Sequence, residues 1–177
     1  LHYEFASRDP AHASQLQGEK REVFLSKHAD VLAGRLDRSD ANILRARQAG
    51  TPRTRILMVD DRVPHPRFGS GFPRSHRLLT GLVDYGAFVT LYPLAAYEDS
   101  WTQVYADIPG EVEVMMNHGP AALEDFLRTR EGFYDLVVVS RPHNMRIMAG
   151  IMDRNPSWFA RTKIVYDAEA LFSTRVK

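Results

Sequence analysis

Five short apolar segments, each followed by a segment with helical periodicity, constrain the fold of this chain more than any other feature of its sequence. Strands that alternate with helices are joined by right-handed crossovers, and they form a mostly parallel sheet with helices on both faces. The sequence therefore predicts an α/β, Rossmann-like domain. The predicted strands cover 55–60, 87–92, 111–116, 134–140 and 163–167.

Local signals bound the helices and rank the strands. A helix is predicted from Pro73 to Tyr85, because leucines recur on one face and Gly86 suits the C-cap. The alternation in 111–116 predicts a half-exposed strand near the sheet edge, whereas the apolar run in 134–140 predicts a central strand. Other helices are expected at about 101–106, 119–130 and 143–154, and from about 168 onward.

The first 50 residues are polar and poor in strand signals, so the sequence predicts a helical extension or linker over 1–50 and a Rossmann-like domain over 51–177. Apolar side chains recur at helical spacing between Val23 and Leu36, which predicts a helix over about 17–36. A second, shorter helix is predicted from Ser39 to Gln48.

Composition excludes several classes of protein. The chain contains no cysteine, so disulfides and thiolate metal sites are excluded. A formal net charge of +1 gives no reason to expect a nucleic-acid partner. No apolar run approaches the roughly 18 residues of a membrane-spanning helix, and the amino terminus does not resemble a signal peptide. We expect a cytoplasmic protein, at most peripheral at the inner face of a membrane, and a fragment of a longer chain.

The loop after the first strand is the first candidate site. Gly69, Ser70 and Gly71 lead into the helix at Pro73, and glycines beside a helix N-terminus permit close approach of an anion. Several cationic side chains make the loop locally basic: Arg62, His65, Arg67, Arg74, His76 and Arg77. We interpret the loop as facing phosphate or sugar. The alternative is a surface loop whose arginines are solvated.

The loop after the fourth strand is the second candidate site. Arg141 is a bidentate donor, and His143 and Asn144 add hydrogen-bonding side chains. The alternative is that Ser140 or Asn144 caps the following helix.

The third candidate site follows the fifth strand, where Asp167 and Glu169 can act as acid/base groups or accept sugar hydroxyls. Asp167 is equally suited to capping the next helix. His118, after the third strand, is a further candidate. Because the carboxyl ends of parallel strands lie at one edge of a sheet, we expect the three loops to meet in one crevice.

Two related site types fit the sequence poorly. The dinucleotide fingerprint is incomplete, because Arg74 stands where its third glycine would be, so a nicotinamide-dependent oxidoreductase is the least favoured interpretation. A phosphoacceptor receiver domain needs an aspartate where this chain has Ser140, about 80 residues beyond Asp60.

Three motifs together resemble the N-terminal half of a GT-B glycosyltransferase. They are ILMVDDRVPHPRFGSGFPR, YDLVVVSRPHNM and KIVYDAEALFSTR, within about 55–177. The relatives are the family-four-like enzymes of bacterial surface-polysaccharide assembly. The preceding segments EKREVFLSKHADVL and ANILRARQAG are similar to the linker that follows family-two-like transferase modules.

The resemblance implies an acceptor-side domain of a hexosyltransferase-like enzyme, with a nucleotide sugar and a glycan as substrates and with neither metal nor cofactor. A second Rossmann domain would bind the donor, so this chain alone is expected to be inactive. The implied catalytic residues are Asp167 and Glu169. The implied binding residues are Arg67, Gly69, Ser70, Gly71, Arg74, Ser140, Arg141, His143 and Asn144.

One departure from the family pattern concerns the third motif. Many relatives carry a His-Asp pair where this chain has Glu169 and Ala170, so a histidine contact to the donor sugar is not expected here. The competing interpretation of the whole chain is a non-catalytic Rossmann module that binds carbohydrate or serves as a scaffold.

Overall fold

The computed structural model describes residues 10–48, 53–69, 71–96 and 98–168. The chain divides into two compact units, with the boundary between Pro52 and Arg53. We describe each unit by itself.

The N-terminal unit is helical in its described part. Helix α1 spans Pro10–Lys27, α2 spans Ala29–Leu32 and α3 spans Ile43–Gln48, with a 3-10 turn at Asp40–Asn42 before α3. The prediction of one helix over 17–36 is therefore corrected: the helix begins earlier, at Pro10, and is interrupted at His28. Val23 and Phe24 of α1 and Val31 of α2 are more than half exposed, so their spacing does not mark a buried stripe.

The second unit is built on a five-stranded sheet in which all the strands are parallel. This confirms the predicted Rossmann-like α/β class. The strands are β1 (Arg55–Asp60), β2 (Phe88–Pro93), β3 (Glu113–Val114), β4 (Leu136–Ser140) and β5 (Lys163–Asp167).

The strand order is β3-β2-β1-β4-β5. The chain runs outward from β1 to β3 and then returns to start β4 on the other side of β1. The topological switch point, where ligands bind in open α/β sheets, therefore lies between β1 and β4. The middle strand is β1 rather than the predicted 134–140 segment, and β4 lies beside it.

The two outer strands differ from the interior ones. The predicted 111–116 strand does lie at an edge, but only Glu113 and Val114 pair with β2, since a turn with Asn117 at φ 61° follows. At the opposite edge, Val165 and Tyr166 of β5 are 46% and 45% exposed.

Four helices connect these strands. They are α4 (Phe72–Asp84), α5 (Trp101–Asp107), α6 (Leu123–Thr129) and α7 (Pro142–Arg154), with 3-10 turns at Pro120–Ala122 and Pro156–Phe159. Right-handed crossovers place α4 and α5 on one face and α6 and α7 on the other. The helix predicted from about 168 lies outside the described residues.

The core under α4 and α5 orients the ends of β1 and β4. Leu79 of α4 and Val104 of α5 pack, fully buried, in one cluster with Met58 and Val138. Because strand side chains alternate between faces, Asp60 and Ser140 point to the same face, two residues beyond Met58 and Val138.

Candidate functional site

Three polar residues end neighbouring strands at the same level of the sheet. Val59 pairs with Val139, which places Asp60 beside Ser140, and Ser140 in turn pairs with Asp167. The switch point therefore presents a polar row across β1, β4 and β5 at the carboxyl edge. Each loop predicted to form the site begins at this row.

Asp61 joins the first two of these loops. Asn144 donates from Nδ2 to Asp61 Oδ1 at 2.8 Å, and His143 Nε2 lies 2.5 Å from the same oxygen. Arg141 Nε lies 3.2 Å from Asp61 Oδ2. The loops after β1 and β4 thus meet, as predicted, through an acidic residue that was not among the predicted site residues.

Arg141 is held by contacts from three elements, β1, α4 and β5. Its Nε donates to Asp60 Oδ1 at 3.0 Å, and its guanidinium carbon lies 4.5 Å from the ring centroid of Phe72 in α4. Its backbone N–H donates to the carbonyl of Asp167 at 3.0 Å. These contacts maintain a backbone with φ 74° and ψ 145°, which a non-glycine residue adopts only under strain. We call Asp60, Asp61, Arg141, His143 and Asn144 the crevice cluster.

Asp60 is the buried acid of the crevice cluster, with none of its surface exposed. Burial raises its pKa above the ordinary value, opposed by hydrogen bonds from the Asp61 amide and from Arg141. Ser140 Oγ, a buried oxygen at this point, has no hydrogen-bond partner among the described residues. Asp60 Oδ2 has none of ordinary geometry, although Ser75 lies near enough to lower the pKa of Asp60. Such atoms are costly to bury unpaired, so a ligand hydroxyl that reached them would gain from the contact.

The third loop meets α4 instead. Asp167 forms an ion pair with Arg74, whose side chain is 59% exposed while that of Asp167 is 10% exposed. The predicted binding residue Arg74 and the predicted catalytic residue Asp167 are thus brought together, and the carbonyl of Asp167 accepts from the Arg141 amide. Two other predicted site residues, Ser70 and Glu169, lie outside the described residues.

Arg67 lies away from the crevice cluster, in a second network. It forms an ion pair with Asp107 at 2.8 Å, and fully buried His65 approaches the same carboxylate through Nδ1 at 2.6 Å. His65 Nε2 lies 3.6 Å from Asp99, which also faces Arg62 at 3.5 Å. We call Arg62, His65, Arg67, Asp99 and Asp107 the loop clamp, because they fasten the loop after β1 to both ends of α5.

The predicted local basicity of the first loop is therefore largely balanced in the structure. Arg62, Arg67 and Arg74 each face a carboxylate. The hydrogen bond with His65, more than any other contact, lowers the pKa of Asp107 below its ordinary value. A phosphate at this loop would have to compete with these carboxylates.

The two glycines of the first loop have different roles. Gly71 precedes α4 with φ 87°, a conformation that glycine adopts without penalty. Gly69 has open space where a Cβ would stand. In the first turn of α4, the amides of Phe72, Arg74 and Ser75 already donate to backbone carbonyls, and Pro73 has no N–H. The turn therefore offers few free donors to a phosphate.

The acidic residues of the crevice cluster were the main omission from the predicted site. The pair Asp60-Asp61 directly after an apolar strand was the available signal, because strand ends at a switch point face the ligand crevice. The remaining histidine candidate, His118, is exposed and lies beside Tyr92, with 6.2 Å between ring centroids. His118 therefore does not join the crevice cluster.

The described part of the chain has neither a metal site nor a membrane-spanning helix. Among the described residues, no group of three or more histidine, cysteine or acidic side chains has the arrangement of a metal site. Within the same part of the chain, no helix combines the length and apolar character needed to cross a membrane. No family model, no curated protein and no solved structure matches this chain. The resemblance to GT-B glycosyltransferases stays a prediction from its motifs.

Proposed function

We propose that the unit formed by 53–177 is the acceptor-side domain of a glycosyltransferase, which moves a sugar from a nucleotide-sugar donor to a glycan or surface-polysaccharide acceptor. The observation that carries this proposal is the crevice cluster itself. Loops from β1 and β4, about 80 residues apart in sequence, join at the switch point through Asp61.

The chemistry of the crevice cluster favours a hydroxyl-rich ligand. Carboxylates accept hydrogen bonds, whereas the Arg141 guanidinium and the Asn144 amide donate them, and all of these groups lie within a few ångströms of one another. A sugar hydroxyl both donates and accepts, so it can replace any of these contacts. A polyphosphate would instead be repelled by Asp60 and Asp61 once they are ionised.

The proposed division of labour follows from the charges. The departing nucleotide phosphate needs cations and free amides, which this unit offers only in competition with its own carboxylates. A second domain would therefore hold the donor. This unit would orient the acceptor, with Asp61 and Asp167 accepting hydroxyl hydrogens. Asp167 would do so beside Arg74, with which it forms an ion pair.

A binding experiment on this chain tests the proposal. Calorimetry would compare the wild type with Asp61→Asn, using nucleotide sugars and neutral oligosaccharides as probes. Loss of charge-assisted hydrogen bonds should weaken oligosaccharide binding about tenfold. The matched control is Asp125→Asn. Asp125 is an exposed acid on α6, and it forms a local ion pair with Arg128, three residues further along the same helix. Equal affinity in wild type and Asp61→Asn would refute the role of the crevice.

A non-catalytic carbohydrate-binding module is the second candidate function. The observation that favours it is the ion pair with Arg74, which engages the one described candidate for a catalytic carboxylate, Asp167. Both candidates predict that residues 1–177 bind glycan without transferring sugar. They diverge in one test: a donor-binding domain encoded after Lys177, with turnover of a nucleotide sugar by the chain that carries it, would favour the transferase.

A further inference from the structure

Helix α5 carries a pair of stacked, exposed aromatic rings. The centroids of Trp101 and Tyr105 lie 6.0 Å apart with an interplanar angle of 16°. Trp101 is 54% exposed and Tyr105 is 42% exposed. Exposure of two adjacent large aromatic side chains is uncommon, whereas single exposed apolar residues need no explanation. We call this pair the aromatic platform.

The aromatic platform is fixed in place before any ligand arrives. Ser100 and Gln103 form a capping box that orders the first turn of α5. The Tyr105 hydroxyl donates to the carbonyl of Val112 at 3.1 Å, which sets the orientation of its ring. A surface held in one conformation loses little entropy when it binds.

Helix α5 follows the carboxyl end of β2, so its first residue, Trp101, starts near the carboxyl edge of the sheet and Tyr105 lies one turn further on. The loop clamp ties the residue just before Ser100, Asp99, to the loop after β1. A small surface depression lies between the end of β2 and the turn after β3. It is lined by Val63, Pro93, Ala95, Asp99, Met116 and Asn117. Its polar groups are Asn117 and the carboxylate of Asp99, which also faces Arg62.

We propose that the aromatic platform is a carbohydrate subsite, which stacks a pyranose ring of the acceptor glycan beyond the sugar bound at the crevice cluster. This inference rests on the proposed function and adds to it an acceptor of several sugar residues. A pyranose has an apolar C–H face and a hydroxyl rim. The face suits a flat aromatic surface, and the rim suits the carboxylate and amide of the adjacent depression.

The charges around α5 argue against other occupants. Residues 98–107 carry three acidic side chains and no lysine or arginine. Arg62 and Arg67 of the loop clamp each face one of these acids, so arginines do not outnumber acids here. An anionic membrane or a nucleic acid binds surfaces with an excess of cations. Two side chains also make a surface far smaller than the roughly 800 Å² that each partner buries in a stable protein interface.

Calorimetry with full-length chain variants tests the aromatic platform. The probes are hexasaccharides of glucose, N-acetylglucosamine and mannose, the corresponding monosaccharides, and vesicles of phosphatidylethanolamine and phosphatidylglycerol. Trp101→Ala should weaken hexasaccharide binding about tenfold and leave monosaccharide binding unchanged. The matched control is Tyr85→Ala, since Tyr85 is 88% exposed at the end of α4, near the opposite edge of the sheet. Unfolding curves show whether each variant retains its fold, and Tyr105→Phe provides a milder change to the same surface.

The outcomes separate this inference from the proposed function. If Trp101→Ala weakens hexasaccharide binding and Asp61→Asn does not, the role of the crevice cluster is refuted and that of the aromatic platform is supported. If only Asp61→Asn weakens binding, the role of the aromatic platform is refuted and that of the crevice cluster is supported. The inference is also overturned if no hexasaccharide binds the wild type, if Tyr85→Ala loses as much affinity as Trp101→Ala, or if Trp101→Ala instead abolishes vesicle binding.

Discussion

The crevice cluster and the loop clamp are two ion-pair networks that leave the same strand, β1, and they are built in opposite ways. In the crevice cluster the acid, Asp60, is wholly buried and its cation, Arg141, is partly exposed. In the loop clamp the base, His65, is wholly buried and its acids, Asp99 and Asp107, keep 12% and 26% of their side-chain surface exposed.

The two networks therefore move carboxylate pKa values in opposite directions. Burial raises the pKa of Asp60, while the hydrogen bond with His65 lowers that of Asp107. A carboxyl whose pKa is raised by burial beside a specific cation is a feature of functional sites, whereas a lowered pKa is typical of structural ion pairs as well. The crevice cluster also contains the strained backbone of Arg141, whereas no described non-glycine residue of the loop clamp has a positive φ. We infer that the loop clamp holds the loop and that the crevice cluster serves the ligand.

The largest loss of stability should come from Arg141→Met. Loss of its guanidinium leaves Asp60 buried without its cation, and breaking such a pair costs about 3 kcal/mol of unfolding free energy. Because the pKa of Asp60 is raised, the folded state keeps its proton to higher pH than the unfolded state. Stability therefore falls as pH rises from the ordinary value of 3.8 toward the folded-state pKa, and loss of Arg141 deepens that fall. Urea denaturation at several pH values measures both effects.

The control for this prediction is Arg128→Met, because Arg128 is an exposed arginine in a surface pair on α6. It should change stability by less than about 1 kcal/mol. If the two variants lose the same stability, or if the Arg141→Met deficit shrinks with rising pH, the crevice cluster does not contain a charged buried acid held by Arg141.

A smaller effect on stability is expected for His65→Leu, which replaces the buried imidazole with an apolar side chain of similar size and removes the hydrogen bond to Asp107. The expected loss is about 2 kcal/mol. Because the pKa of Asp107 is lowered in the fold, its stabilisation is present above the ordinary value of 3.8 and is lost as pH falls through the folded-state pKa. The stability of the variant should therefore depend less on pH in the acid range than that of the wild type. This change is opposite in direction to the one expected for Arg141→Met. NMR titration of the Asp107 carboxyl should show its pKa rising toward the ordinary value.

His118→Leu serves as the control for that experiment. His118 is exposed, and its neighbour is the ring of Tyr92. It should leave the Asp107 titration unchanged. A shift of the Asp107 pKa by the same amount in both variants would show that His65 does not hold that carboxylate.

The fold could be predicted because its signals are local. The apolar runs of β1 and β4 and the Gly86 after α4 are each visible within a few residues of sequence. Convergence of the loops after β1 and β4 then follows from parallel topology alone. Two predictions failed where periodicity was the sole guide. The third strand shortens to Glu113–Val114, and the helix predicted over 17–36 is interrupted at His28.

The site could be predicted only in part, because pairing between distant side chains leaves no local pattern. The candidate Arg141 was found from its place after a strand, and Asp61 was not, although they meet in space. Nothing in a polar loop distinguishes Arg67, which faces Asp107 forty residues away, from an arginine that faces a ligand. The burial of His65 likewise depends on where α5 packs, which the loop sequence does not encode.

The smallest effect on stability is expected from alanine substitutions at Gly69 and Gly71, which lie in the loop between the two networks. A side chain at Gly71 would have to adopt φ 87°, which costs about 1 kcal/mol, and it would shift Phe72 beneath the Arg141 guanidinium. A side chain at Gly69 would meet open space, so Gly69→Ala should change stability by less than about 0.5 kcal/mol. Urea denaturation of Gly71→Ala and Gly69→Ala measures the difference, and oligosaccharide affinity should fall in Gly71→Ala alone. A larger loss in Gly69→Ala would mean that this loop is shaped by the loop clamp rather than by the entry into α4.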